Sequence, residues 1–351
     1  MMYYHPMGRV LILTLIALLN LGACSKEVNW ETFPQIRSMT TRGAERAWLV
    51  TIKGDLLRTD DGGKTWQNTP ATTIGGFQST TMLDDLRGFA VNNHGKIWST
   101  INGGKNWVAK GELRTTDWHF NESDQIQFMD ELHGWIVETL TIWRTEDGGA
   151  NWQKAFSPFD HGDKGQPVRA FFLNLRNVWV CGTDGEVYNT KDDGQTWTTQ
   201  TISGKDSDFT DIFFTNEKTG WLAGYIGGQL GDKLYHTNDG GKTWQLLPTA
   251  ISQGYLNSIY FFDEKEGWAC GDAKSAETNG NSEKAILMHT TDGGQSWQTT
   301  LIKDDEPFFD RISFVDSKHG WLFGRDHVYR TDDGGKSWHT VLNLPPIKAT
   351  R

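Results

Sequence analysis

Cysteine is scarce: only Cys24, Cys181 and Cys270 occur in 351 residues, too few for a disulfide-stapled fold. The ten histidines show no i, i+4 or His-x-His spacing, so no metal site is expected. Basic residues are in the minority, 34 Lys and Arg against 44 Asp and Glu, for a formal net charge of −10. That balance argues against nucleic acid and anionic headgroups as general partners. Long apolar runs are missing too, apart from Val10 to Leu21, which is short for a membrane-spanning helix. Proline is sparse at 9 residues, whereas glycine (39) and tryptophan (17) are abundant, a balance that suits tight turns and large packing side chains in an all-β protein rather than helices.

Residues 1–23 have the layout of an export signal: one strong charge at Arg9, the apolar run, then Leu21-Gly22-Ala23-Cys24. The tetrapeptide resembles a bacterial lipobox, which makes Cys24 the acylated first residue of the mature chain. Ser25 at the next position points to the outer membrane, facing the periplasm. Losing residues 1–23 moves the net charge to −11. The expected organisation is a signal peptide (1–23), a lipidated tether (24–29), a folded domain (30–343) and a short tail (344–351).

Seven segments then repeat one pattern: 59–66 (TDDGGKTW), 100–107 (TINGGKNW), 145–152 (TEDGGANW), 190–197 (TKDDGQTW), 237–244 (TNDGGKTW), 290–297 (TTDGGQSW) and 331–338 (TDDGGKSW). Counting back from the tryptophans Trp66, Trp107, Trp152, Trp197, Trp244, Trp297 and Trp338, the seventh position is always Thr and the third always Gly. The fifth is Asp61, Asn102, Asp147, Asp192, Asp239, Asp292 or Asp333. Such an Asp or Asn accepts backbone N–H bonds in an Asx-type turn, the glycines supply positive φ, and the Trp is expected to start the next strand. A second landmark precedes each box: Trp48, Phe89, Trp135, Trp179, Trp221, Trp268 and Trp321, commonly after Gly. Alternating or apolar runs lie upstream of these, so each unit reads as four strands; in the sixth they are 256–262, 267–271, 285–290 and 295–300. Units of 41 to 53 residues that cannot bury both faces alone predict a seven-bladed β-propeller of four-stranded antiparallel blades, with the box between the third and fourth strands. Trp30 resembles a stray outer strand able to latch the ring, although the seventh blade has its own candidate at 336–342. Cys181 and Cys270 fall in blades 4 and 6, too far apart for a disulfide.

One Gly-Trp and one TxDGGxTW element per blade, seven blades and a lipoprotein leader together resemble the photosystem II stability/assembly factor family of cyanobacteria and chloroplasts, over about Trp30 to Leu342. The resemblance implies a non-catalytic scaffold, without cofactor, that holds a membrane-complex subunit during assembly. Partner binding in that family is associated with basic residues, and this acidic chain departs from the pattern. Sialidases, two-propeller xyloglucan hydrolases and sortilin-type receptors share the box, so a carbohydrate-active propeller is the alternative.

Candidate binding residues follow from position. The tenth residue before each second-strand aromatic gives the column Ser38, Ser79, Gln125, Arg169, Asp211, Ser258 and Arg311, expected near the inner channel, where Arg169, Asp211 and Arg311 are either a recognition set or an internal salt-bridge set. Unequal spacings place insertions at 110–122, 156–168, 225–232 and 272–284, all in second-to-third-strand or blade-to-blade loops and hence on the face opposite the boxes. Trp118, His119, Phe159 and Tyr225 are the aromatic candidates for a polypeptide-binding rim. A sialidase would need three convergent arginines, a tyrosine nucleophile and a Phe-Arg-Ile-Pro element, but Arg311-Ile312 is followed by Ser313. No carboxylate pair is marked by position for glycoside hydrolysis. Gly63-Lys64-Thr65 and Gly335-Lys336-Ser337 mimic a phosphate loop whose earlier glycine would fall on Arg58 and Arg330. The Asp-Asp-Gly stretches lack the closing glutamate of a calcium loop, leaving turn chemistry as their explanation.

Overall fold

A computed structural model describes residues 36–69, 75–113, 125–138, 141–162, 165–226, 232–248, 254–274, 283–300, 302 and 306–344; the leader, Cys24, Trp30 and the tail lie outside them. Twenty-eight strands form seven four-stranded antiparallel meanders, each from one continuous stretch: 36–69, 77–112, 125–156, 167–201, 207–247, 254–300 and 309–343, blades 1 to 7. In blade 6 the strands are Gly254–Phe261, Gly267–Lys274, Glu283–Thr290 and Gln298–Thr300. The fourth strand starts one residue after the box Trp, so Trp297 closes the turn rather than opening the strand. The second and third strands are longer than expected because part of the insertion extends the hairpin ladder, out to the pair Lys274 and Glu283.

Each box is a small hydrogen-bonded knot. In blade 5 the Thr237 hydroxyl accepts the Gly241 N–H at 2.9 Å and donates to Asp239 Oδ1 at 2.8 Å. Asp239 Oδ1 also takes the Thr243 N–H at 3.0 Å, and its Oδ2 takes the Thr243 hydroxyl at 2.6 Å. Those Thr243 bonds, hydroxyl first, hold the Asp239 carboxyl down at about 2. The glycine N–H to threonine bond recurs in all seven boxes at 2.8 to 3.0 Å. So does the bond to the Asp or Asn Oδ1.

The two sequence landmarks meet between blades. Trp48 of blade 1 donates its indole N–H to Gly103 O in the box of blade 2 at 2.8 Å, and Trp221 of blade 5 donates to Gly293 O in the box of blade 6 at 3.0 Å. Where the second-strand aromatic is Phe89 it stacks instead on Phe128 of blade 3, ring centroids 3.6 Å apart, as Trp221 does on Phe261 of blade 6 at 3.7 Å. Seven hydrophobic clusters result, one at each blade-to-blade interface. Each buries several large side chains worth about 1.5–3 kcal/mol apiece.

The ring closes by the same packing. Ala47 and Leu49 of blade 1 pack on Trp321, Phe323 and Val328 of blade 7, and Trp66 donates to Val341 O at 3.1 Å. Blade 7 carries its own fourth strand, His339–Asn343, so among the described residues no strand is exchanged between the first and last blades.

Cys181 and Cys270 are free, buried, and in different interfaces, those of blades 4–5 and 6–7. Burial pushes both thiols up. Iodoacetamide is therefore expected to label neither in the native protein and both after unfolding, which peptide mapping distinguishes from Cys24; rapid native labelling of either would contradict the packing.

Candidate functional site

Position-specific chemistry begins on the innermost strands. In six blades the ladder shifts register just before the channel column, between Ile36/Ser38, Phe77/Ser79, Pro167/Arg169, Phe209/Asp211, Leu256/Ser258 and Phe309/Arg311. A bulge re-aims side chains; the column residues reach the next blade, Ser79 and Asp211 after a bulge and Gln125 without one. Ser79 Oγ accepts Ile126 N–H at 3.3 Å, Gln125 Oε1 accepts Ala170 N–H at 3.2 Å, and Asp211 Oδ2 accepts Ile259 N–H at 3.0 Å. The bulged residues Thr210 and Asn257 add bonds to Leu256 O and Phe309 O.

Asp211 is the column's one carboxylate and lies between its two arginines. Its oxygens are 3.9 Å from Arg169 Nε and 3.9 Å from an Arg311 terminal nitrogen. Blades 5 and 7 are not neighbours, so the second contact runs through the space inside the ring. Burial pushes the Asp211 carboxyl up, against the pull of Arg169 and of the Ile259 and Ile212 N–H groups. Of the two readings the sequence allows, the contacts match the internal salt-bridge set.

The two faces of the ring differ. On one, each box is bonded to the first turn of its own blade, as in Gly103 N to Leu86 O and Gly240 N to Lys218 O. On the other, second-to-third-strand turns bond to blade-to-blade segments, as in Asn93 N to Gly76 O and Thr183 N to Gln166 O. This second face is the expected rim. Trp118 and His119 lie outside the described residues. Phe159 is in a short 3-10 turn, Pro158–His161, tied to the fourth strand by the Lys154–Asp160 ion pair. Tyr225 is less available than the loop reading expects: it extends the strand Gly220–Ile226, pairs with Asp232, stacks edge-on against Tyr255 with centroids 4.9 Å apart, and donates its hydroxyl to Asp208 Oδ2 at 3.1 Å.

Buried acids on this rim went unnoticed in the sequence because they are dispersed. Asp232 Oδ1 accepts Leu256 N–H at 2.7 Å, while its buried Oδ2 has no hydrogen-bond partner among the described residues. Burial pushes this carboxyl up to about 8, and the nearby Asp272 adds to the effect. A folded pKa above the unfolded one means the native state holds the extra proton. Stability is thus expected to fall as pH rises from about 4 to 8, and Asp232→Asn should flatten that slope in urea titrations at pH 5, 6.5 and 8; an unchanged slope would assign it elsewhere. A second group, Glu306, Asp326 and His327, brings three ligand-type atoms within 4.8 Å of one another. Their separation in sequence, with no His-x-His or i, i+4 pair, is why spacing gave no warning.

The fold defines a seven-bladed Asp-box propeller. A family model described as "Sortilin, neurotensin receptor 3" matches residues 140–301. In sequence the chain is similar to the photosystem II assembly factors, as its repeats imply. It is 28% identical over 195 residues to the photosystem II assembly lipoprotein Ycf48 of Picosynechococcus sp., covering 54% of this chain and 56% of that one. It is 26% identical over 200 residues to the photosystem II assembly protein Ycf48 of Thermosynechococcus vestitus, covering 54% of each. The chain thus spans little more than half the length of these curated relatives, which are named for assembly rather than for a reaction. Among solved structures, a YCF48 bound to D1 peptide aligns with TM-score 0.65 at 19% identity, over 86% of this chain and 94% of that one. The GH74 xyloglucanase from Xanthomonas campestris aligns with TM-score 0.68 at 13% identity, over 89% and 55%. At these identities the structural likenesses speak for the fold.

Proposed function

We propose that this protein is a non-catalytic scaffold, exported and lipid-anchored through Cys24 to the outer membrane, that holds a subunit of a membrane complex during assembly. The tether 24–29 lets the propeller present the rim opposite its boxes, with Trp118, His119, Phe159 and Tyr225 as first contacts. The observation that carries the reading is the sequence similarity to assembly proteins, some of them named lipoproteins, one homonym of which is solved with a D1 peptide bound. Asp211 supports it from the other side: clasped by two arginines, it is not the free half of a hydrolytic carboxylate pair. The test is affinity capture of the full-length lipoprotein from native membranes after in situ crosslinking. A membrane-complex subunit crosslinked to rim residues supports the proposal; no specific partner together with cleavage of glycans by the purified protein reverses it in favour of the carbohydrate-active alternative.

A further inference from the structure

The seam of the ring holds a side-chain cluster that the scaffold reading does not use. Glu306 lies in the segment leading into blade 7, Asp326 in the turn between that blade's second and third strands, and His327 at the start of the third. His327 Nδ1 is 2.7 Å from Glu306 Oε2 and 2.6 Å from Asp326 Oδ1. The Glu306 side chain is 1% exposed and that of Asp326 9%. An imidazole nitrogen carries one proton at most, and in this geometry its hydrogen bond is to Glu306. Asp326 Oδ1 is left buried without a hydrogen-bond partner while facing the same nitrogen. A single N–H does not serve two carboxylate oxygens fully, whereas a divalent ion drawn between them takes one ligand atom from each of the three groups.

The remaining contacts fit a built site. Arg325 donates its backbone N–H to Glu306 Oε1 and its guanidinium to Asp326 Oδ2 at 3.0 Å, so each second oxygen is held from outside. Position 324 is glycine, and a Cβ there would come within 2.6 Å of the Glu306 carboxyl. Two carboxylates and an imidazole suit a first-row divalent ion such as zinc or manganese; calcium wants six to eight oxygens.

We infer that Glu306, Asp326 and His327 form a divalent transition-metal site that fastens the propeller seam. The location gives it that role. Arg325 O accepts Ile36 N–H from the first strand of blade 1 at 3.3 Å, and Asp326 O accepts Leu344 N–H beyond the last strand at 2.8 Å. Glu306 O accepts Ala285 N–H from blade 6 at 3.0 Å. The first described strand, the residue beyond the last strand and the last inter-blade loop are thus pinned to the three residues 306, 325 and 326. An ion bridging Glu306 to Asp326 and His327 locks them together.

The test uses the untagged mature protein, stripped with EDTA and titrated with Zn2+ by calorimetry, with thermal unfolding followed in parallel and Mn2+ and Ca2+ as comparators. The expected result is one site per chain and a rise in unfolding temperature with Zn2+ that Ca2+ does not reproduce. His327→Gln and Glu306→Gln, each checked for native circular dichroism, should weaken Zn2+ binding at least 100-fold and abolish the temperature shift. Wild-type protein that binds no Zn2+ overturns the inference, as does binding that survives both substitutions. So does stabilisation that appears only on acidification and ignores the metal, because a proton then does the fastening.

Discussion

Gly241→Ala should destabilise the protein by about 2–5 kcal/mol, well beyond the usual cost of replacing a glycine in a turn. Gly241 has φ +73°, where an L side chain costs about 1–2 kcal/mol. An added Cβ would also lie 2.2 Å from Trp179 Cη2 of the preceding blade, and overfilling a packed site costs about 1–3 kcal/mol more. Gly43→Ala separates the two causes: its φ is +57° and no atom lies within 4 Å of the new Cβ, so about 1 kcal/mol is expected. If the clash with the indole is real, Gly241→Ala should cost less in a Trp179→Leu background, by an interaction energy of about 1–3 kcal/mol. Urea midpoints and slopes for the four members of that cycle, with Gly43→Ala alongside, provide the measurement. Equal costs for Gly241→Ala and Gly43→Ala would show that the box glycine serves φ alone.

That comparison also shows what the repeat revealed and what it concealed. The box was legible because the Thr and Asp or Asn bonds that shape its turn fall within seven residues, so the same chemistry must reappear wherever the turn does. Its partner was not, since Trp48 meets Gly103 across 55 residues and a blade boundary. A signal was nonetheless present. At the fourth position before the box Trp, blade 4 has Asp193, which adopts φ +62° without being glycine. At the third position all seven copies are Gly. Positive φ alone does not demand that strictness; a neighbouring aromatic with no room for a Cβ does, as at Gly194, Gly241 and Gly335 against Trp135, Trp179 and Trp268. Spacing likewise located the insertions of blades 5 and 6 but not how much of each continues as ladder, because Tyr225 pairing with Asp232 depends on register rather than on length. The seam cluster was invisible for a simpler reason: Glu306 and His327 are 21 residues apart, one before the first strand of blade 7 and one opening its third, and only the folded meander brings them together.

Removing the charge of Asp211 is the other change expected to have a large effect. Its carboxylate takes two backbone N–H groups, one from its own strand and one from blade 6, and faces Arg169 of blade 4 and Arg311 of blade 7. One side chain therefore links four consecutive blades around the channel. Asp211→Leu strands two partly buried guanidinium groups and two N–H donors, for which about 3–5 kcal/mol is expected. Asp211→Asn keeps an acceptor for one N–H and loses the counter-charge, so about 1–3 kcal/mol is expected. The decisive member of the series is Asp211→Leu with Arg169→Leu and Arg311→Leu. If the cost arises from uncompensated charge, the triple variant should regain much of the loss, since an apolar set of similar volume is often no less stable than a buried ion pair. Should the triple variant be weaker than Asp211→Leu alone, the arginines contribute through their own packing in the channel, and the carboxylate is not what holds them there.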